Sequence, residues 1–188
     1  MITRIMKQLP IIDTGRLVLR TPVAEDIPNI VLHANNAAVA LNTLNIPFPY
    51  TEKDAINWLS TGYQGLAKGT EFIFGIEEKD SNAFIGGISL KVDQKFNRAE
   101  VGFWLGEPFW NMGLMTEALK SILEFGFKVL DLHKIDAHHL INNIGSGRTM
   151  EKNGMIREGE MVDHVKKGEQ YLGIVLYRLT REEYDALK

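Results

Sequence analysis

Charged and aliphatic residues alternate along Arg16-Leu17-Val18-Leu19-Arg20, the two-residue period of a strand with one wet face. The period then changes. Ala24 to Asn35 places Ile27, Ile30 and Val31 at helical spacing, and a segment containing Pro47 and Pro49 follows as a loop. Thr51 suits an N-cap for a second helix carrying Ala55, Ile56 and Leu59, with Asp54 three residues on. The middle of the chain predicts strands over Glu71–Glu78, 83–92 and 99–105, separated by the turn-prone Lys79-Asp80-Ser81-Asn82 and residues 94–98. Short polar connections between consecutive strands imply an antiparallel meander.

A long helix is expected over 113–130, with Met115, Ala118, Leu119, Ile122, Val129 and Leu130 mainly on one face. A strand over Lys134–Leu140, a helix over 146–153 and strands near 155–162 and 170–179 complete the pattern. The predicted fold is α+β: a mixed, mainly antiparallel sheet of about seven strands flanked by helices. Neither a repeat nor a Pro/Gly/Ser linker interrupts it, so a single domain over 1–188 is expected.

Composition narrows the chemistry. The chain has 188 residues, 45% hydrophobic and 24% charged, and no cysteine, which removes disulfides, thiolate metal sites and a cysteine nucleophile together. A formal net charge of −3 argues against a nucleic-acid binder that works through a basic face, but it leaves room for a local basic pocket. No apolar run approaches the ~20 residues of a membrane span, and residues 1–10 hold no signal-peptide core, so a cytoplasmic protein is expected. His138 and His139 are neighbours in a strand and point to opposite faces, and no histidine has ligand spacing around it; no metal is expected. The chain also lacks Gly-x-Ser-x-Gly and Walker sequences.

Two stretches carry chemistry. In the first, Glu100 to Ala118, a strand passes through a glycine-containing loop into an amphipathic helix. Unpaired N–H groups at a helix start can hold a phosphate, and Gly113 gives a backbone room to approach one, although a glycine before a helix also serves as a plain turn. The second, Asn142 to Met155, sets polar groups just past a strand and closes its helix at Gly154. Asn143 and Ser146 there suit helix capping equally well.

Together these stretches resemble the GNAT N-acetyltransferase superfamily, and within it the ribosomal-protein alanine acetyltransferase branch. The likeness covers nearly the whole chain. Thr14-Gly15-Arg16-Leu17-Val18-Leu19-Arg20 with Asp26 is similar to that branch's first strand and helix. Glu100 to Leu105 resembles its central strand, Trp110 to Ala118 its coenzyme A loop, and Asn143-Ile144-Gly145-Ser146 with Glu151-Lys152-Asn153-Gly154-Met155 its last motif. Two positions depart: Met115 stands where the superfamily usually has a small residue, and is expected to narrow the loop, and Met155 replaces a closing aromatic.

The resemblance implies acetyl-CoA as co-substrate. Backbone groups of Asn111, Met112, Gly113, Leu114, Met115 and Thr116 would hold its pyrophosphate, and Trp110 counts among the co-substrate residues. Phe103, Trp104 and Leu105 would pair with the pantetheine arm and steady the thioester oxygen. Asn143 and Ser146 would contact the cofactor, and Arg148 and Lys152 are candidates for the 3′-phosphate. Glu100 is the candidate general base, directly or through a water, against the alternative of a solvated strand carboxylate. The tyrosine that many members use as acid corresponds to Met150, so Ser146 is the candidate acid. Glu117 is family-like, but the helix dipole alone explains an acid in a first helical turn.

The function expected is transfer of acetyl to a primary amine on a protein N-terminus, a polyamine or a small molecule. The alternatives are a non-catalytic acetyl-CoA sensor or docking module, and an acyltransferase for longer acyl groups. Residues 36–51 and 162–169 are the loops expected to choose the acceptor, with Asp13, Glu25, Asp26, Glu52 and Glu160 as acids able to attract a cation. No nucleic-acid or membrane partner is expected, and the resemblance makes a homodimer an option.

Overall fold

The structure, a computed structural model, describes residues 6 and 8–187, so most of the segment examined for a signal peptide lies outside the described residues. Eight strands of the described residues form one sheet: β1 (Ile12–Asp13), β2 (Leu17–Arg20), β3 (Glu71–Glu78), β4 (Ala83–Asp93), β5 (Arg98–Leu105), β6 (Lys134–Leu140), β7 (Ile156–Lys167) and β8 (Gln170–Thr180). Their order across the sheet is β1-β2-β3-β4-β5-β6-β8-β7, and only the β5–β6 pair is parallel. The two-residue β1 adds one strand to the seven expected. Among the described residues six α-helices accompany the sheet: α1 (Ile27–Ala34), α2 (Ala37–Asn42), α3 (Glu52–Lys68), α4 (Leu114–Glu124), α5 (Ile144–Lys152) and α6 (Arg181–Ala186).

Helices cover both faces of the sheet, and this explains the apolar runs of β3 and β4, which lack the alternation of β2 and β5. Phe72 and Phe74 of β3 meet Phe125, just past α4, edge to face, while Ile73 between them lies against Gly62 of α3. The larger core sits beneath α4; a second cluster of Ile30, Ala34, Ala55, Leu59, Phe84 and Tyr50 packs α1 and α3 on the opposite face.

The helix expected over 113–130 is one continuous element with a change of pitch. Regular α4 ends at Glu124 and Phe125–Val129 form a π turn, closed by Leu130 N–H donating to Phe125 O at 3.1 Å. Thr51 and Asp54 form a reciprocal capping box at the start of α3. The helix expected from Ala24 begins with a 3₁₀ turn and becomes α-helical at Ile27. Part of the expected loop 36–51 is helical: Asn36 Oδ1 caps α2, accepting from Ala38 N–H at 2.7 Å and Val39 N–H at 3.3 Å. None of the described helices is long and apolar enough to cross a membrane.

Candidate functional site

The site begins where the sheet divides. β5 and β6 pair only from Arg98↔Lys134 to Val101↔Ala137; beyond that β5 continues along β4, and β6 along β8. Gly106 N–H donates to Ile85 O at 2.9 Å, and bonded pairs alternate in an antiparallel ladder. The backbone groups of Phe103 and Leu105 therefore face the gap left by β6. Trp110 Nε1 donates to Leu105 O at 2.8 Å and ties the following loop to that edge.

That loop turns sharply into α4. Asn111 (φ 62°) and Gly113 (φ 75°) both adopt left-handed backbone, the combination that curls successive N–H groups into an anion-binding concavity at a helix start. A Cβ at Gly113 meets nothing nearer than Arg16 Nη2 at 3.7 Å, so conformation rather than space calls for glycine there. Arg16 props the loop from behind: its Nη1 donates to Met112 O at 2.9 Å and its Nε to Glu117 Oε2 at 2.8 Å. Glu117 also accepts from Arg16 N–H at 2.7 Å and from Thr14 Oγ1 at 2.6 Å. Burial pushes the Glu117 carboxyl up, and these donors from Thr14 and Arg16 outweigh it, leaving the group below its ordinary value.

Two cavities meet at the divide. One, of about 460 Å³, lies between β5, the α4 loop and the start of α5; its charged lining residues are Arg148 and Lys152. The other, of about 620 Å³, lies between β5, β6, α3 and the segment after α2; Asp54, Glu71 and Glu100 line it, with no lysine or arginine. Asn42, Thr43, Phe103, Trp104, Asn143 and Ser146 line both. The two chambers thus have linings of opposite charge and a shared wall.

A family profile described as Acetyltransferase (GNAT) domain matches residues 16–156. The chain belongs to this family. Among its relatives, the uncharacterised N-acetyltransferase p20 of Bacillus licheniformis is 27% identical over 91% of this chain and 96% of its own. The [ribosomal protein uS5]-alanine N-acetyltransferase of Escherichia coli is 28% identical over 62% of this chain and 61% of its own. A solved GNAT-family acetyltransferase from Bacillus anthracis superposes with a TM-score of 0.81 at 26% identity, covering 92% of this chain and 99% of that one. The GNAT chain described here is accordingly an acetyl-CoA-dependent acyltransferase, with acetyl-CoA as its co-substrate.

Of the residues singled out for the co-substrate, Phe103, Trp104, Leu105, Trp110, Asn111, Gly113, Leu114, Met115, Thr116, Asn143, Ser146, Arg148 and Lys152 all border the first cavity. Met112 does not: its side chain is exposed and its carbonyl is held by Arg16. Met115 is buried against the core, where helical periodicity turns it, and also borders the cavity at the loop. Asn143 acts as a cap, its Oδ1 accepting from Ser146 N–H at 3.1 Å and its Nδ2 donating to Asn42 O at 3.0 Å. Gly154, at φ 78°, follows α5 as its spacing predicted. Met150 is buried in the core.

Glu100 is half exposed and lines the second cavity. Gly102 beside it leaves the face open: a Cβ there would find only Ser89 Oγ, at 3.8 Å. None of the acids offered as cation attractors lines that cavity. Asp26 is buried and held by both Arg20 Nη atoms at 2.7 and 2.8 Å, while Asp13, Glu25, Glu52 and Glu160 lie elsewhere. The acids that do line it besides Glu100 are Asp54, hydrogen-bonded to Thr51, and Glu71, whose carboxyl burial pushes up. Sequence reasoning gave no role at this site to Arg16, His138 or Lys167. Lys167 donates to Ala40 O and to Thr43 O at 2.5 Å, so the end of the β7–β8 hairpin anchors the wall shared by both cavities. No group of three or more His, Asp or Glu among the described residues could hold a metal.

Proposed function

We propose that this enzyme transfers acetyl from acetyl-CoA to a cationic primary amine by direct attack within a ternary complex. The observation that carries the reading is the pairing of chambers: one bears two cations beside a helix start, the other three carboxylates, and they join at Phe103, Trp104, Asn143 and Ser146. The phosphates of coenzyme A belong to the first, held by amides of the 111–116 loop with Arg148 and Lys152 near the 3′-phosphate. The acceptor ammonium belongs to the second.

At the junction, backbone facing the gap at Phe103 and Leu105 is placed to bind pantetheine and the thioester oxygen as charge develops there. Glu100 supplies the negative charge towards which the amine proton moves. A thiolate with a pKa near ~8.5 departs readily, so a weak donor such as the Ser146 hydroxyl suffices. An α-amino group, ordinarily near ~8, sheds its proton more easily than a lysine-type amine near ~10.4, and favours a protein or peptide N-terminus as acceptor. The E. coli relative, by its name an alanine N-acetyltransferase of ribosomal protein uS5, supports the same choice.

Thiol release from acetyl-CoA, measured against alanine-ended peptides, polyamines and lysine peptides, tests the reading. Glu100→Gln should lower kcat by about 10²-fold while acetyl-CoA affinity stays unchanged. Tight acetyl-CoA binding with no transfer to any of these amines would instead support a sensor.

A further inference from the structure

The parallel pairing of β5 with β6 ends at Val101↔Ala137, which makes His138 the first residue of β6 beyond the fork. The two-residue period puts it on the face of Asp136, and the register of Asp136 with Glu100 makes that Glu100's face as well. On β5 this face continues through Gly102, whose missing side chain leaves the histidine open room. His138 Nδ1 lies 3.6 Å from Glu100 Oε1, and both side chains line the acidic cavity. Nε2 has no polar partner among the described residues.

Apart from Lys91, which stands opposite Glu100 on β4, the other charges near this pair are committed elsewhere. Asp136 is held by Lys134 at 2.7 Å and Arg98 at 3.2 Å, and Arg178 of β8 by Glu183 at 2.7 Å and Glu158 at 3.6 Å. Leu176, directly opposite His138 on β8, brings no charge. Lys91 of β4 stands in register between Glu71 of β3 and Glu100, and Asp54 of α3 is bonded to Thr51. Glu100 is therefore the charged group that reaches the imidazole.

We infer that His138 is a catalytic residue acting with Glu100 as one base: the proton leaving the acceptor ammonium lands on His138 Nε2. This rests on the reading of the acidic cavity as the acceptor site. The Glu100 carboxylate steadies the imidazolium through Nδ1, the division of labour in which a carboxylate orients a histidine base. A 3.6 Å separation without substrate is of the kind that tightens once the acceptor is seated. An imidazole, ordinarily near ~6.5, is also better matched to an amine at neutral pH than a carboxylate near ~4.3.

With that proton removed, the amine lone pair attacks the thioester carbon and a C–N bond forms as the carbonyl π pair moves to oxygen. Collapse of the adduct breaks the C–S bond, and the pair leaves on sulfur. The Ser146 hydroxyl gives its proton to the thiolate and takes the second amine proton in its place, and His138 passes the first to solvent through the open cavity.

The test compares wild type, Glu100→Gln, His138→Gln and the double variant in steady-state transfer, with acetyl-CoA affinity measured by calorimetry. Each single variant should lose about 10²-fold or more in kcat with affinity within about twofold, and the double variant should be no worse than the poorer single. His138→Ala should regain rate when imidazole is added to the buffer, a response that a merely structural histidine does not give. His138→Gln within about threefold of wild type, alongside a slow Glu100→Gln, overturns the inference and leaves the acceptor site standing. Losses that multiply in the double variant, or no imidazole rescue, overturn it too. A wild type that transfers to no amine overturns both readings.

Discussion

Glutamate 117 joins the two ends of the co-substrate loop's support, and its charge can be removed almost isosterically. Glu117→Gln keeps the side chain's shape but weakens two hydrogen bonds, from Thr14 Oγ1 at 2.6 Å and Arg16 N–H at 2.7 Å, from charged to neutral. That difference is about 1 kcal/mol each. The ion pair to Arg16 is discounted to about 0.5 kcal/mol, because the arginine side chain is 51% exposed. Relief from desolvating a carboxylate returns a comparable amount, so the net loss is about 2 kcal/mol.

For a chain of this size that is a fall in Tm of about 4–8 °C. Urea unfolding should show a lower midpoint with an unchanged m-value. Glu117 titrates below its ordinary value of 4.5 in the folded protein, so its contribution is present above that range and is lost as pH falls through the folded value. The gap between wild type and variant should therefore narrow as the buffer is taken from neutral towards acid. Glu124→Gln, which loses only the exposed pair with Lys128, serves as control and should change stability by less than about 0.5 kcal/mol. A Glu117→Gln loss no larger than the control's, or one that does not change with pH, would refute the account of this clamp. Because Arg16 also holds Met112 O, acetyl-CoA affinity should fall with stability.

Other consequences are open to measurement. Replacing Arg148 and Lys152 together by glutamine should weaken acetyl-CoA about tenfold and the 3′-dephospho analogue by less than about twofold; equal losses would remove these residues from the 3′-phosphate. Lys167→Met removes the ammonium donor from the carbonyls of Thr43 and of Ala40, which keeps Thr43 N–H at 3.3 Å, and amide exchange across α2 should quicken about tenfold while that in α3 stays unchanged. Unaltered exchange in α2 would mean that its own cap at Asn36 suffices.

Sequence by itself determined those features whose cause lies within about one turn or one strand. The alternation from Arg98 to Leu105 set Glu100, Gly102 and Trp104 on one face, and the burial of β5 follows it. The bounds of β3 and the box at Thr51 and Asp54 were legible for the same reason, as was the helix start after Gly113. Short elements were harder. The six residues of α2 are too few, and too uniformly apolar, to show a period, and they lie in a stretch whose prolines signal a loop.

Tertiary structure alone decided which side chains meet. Glu117 looked sufficiently explained by its own helix, yet its donors come from Thr14 and Arg16, more than a hundred residues away. Lys167 reaches Ala40 across 127 positions, and His138 meets Glu100 only because the parallel pair parts immediately beyond them. Local periodicity reports which way a side chain points relative to its own backbone. The chain connection and the strand order determine what lies in that direction, so the residues of this site were recognisable one at a time while their partnerships came from the fold.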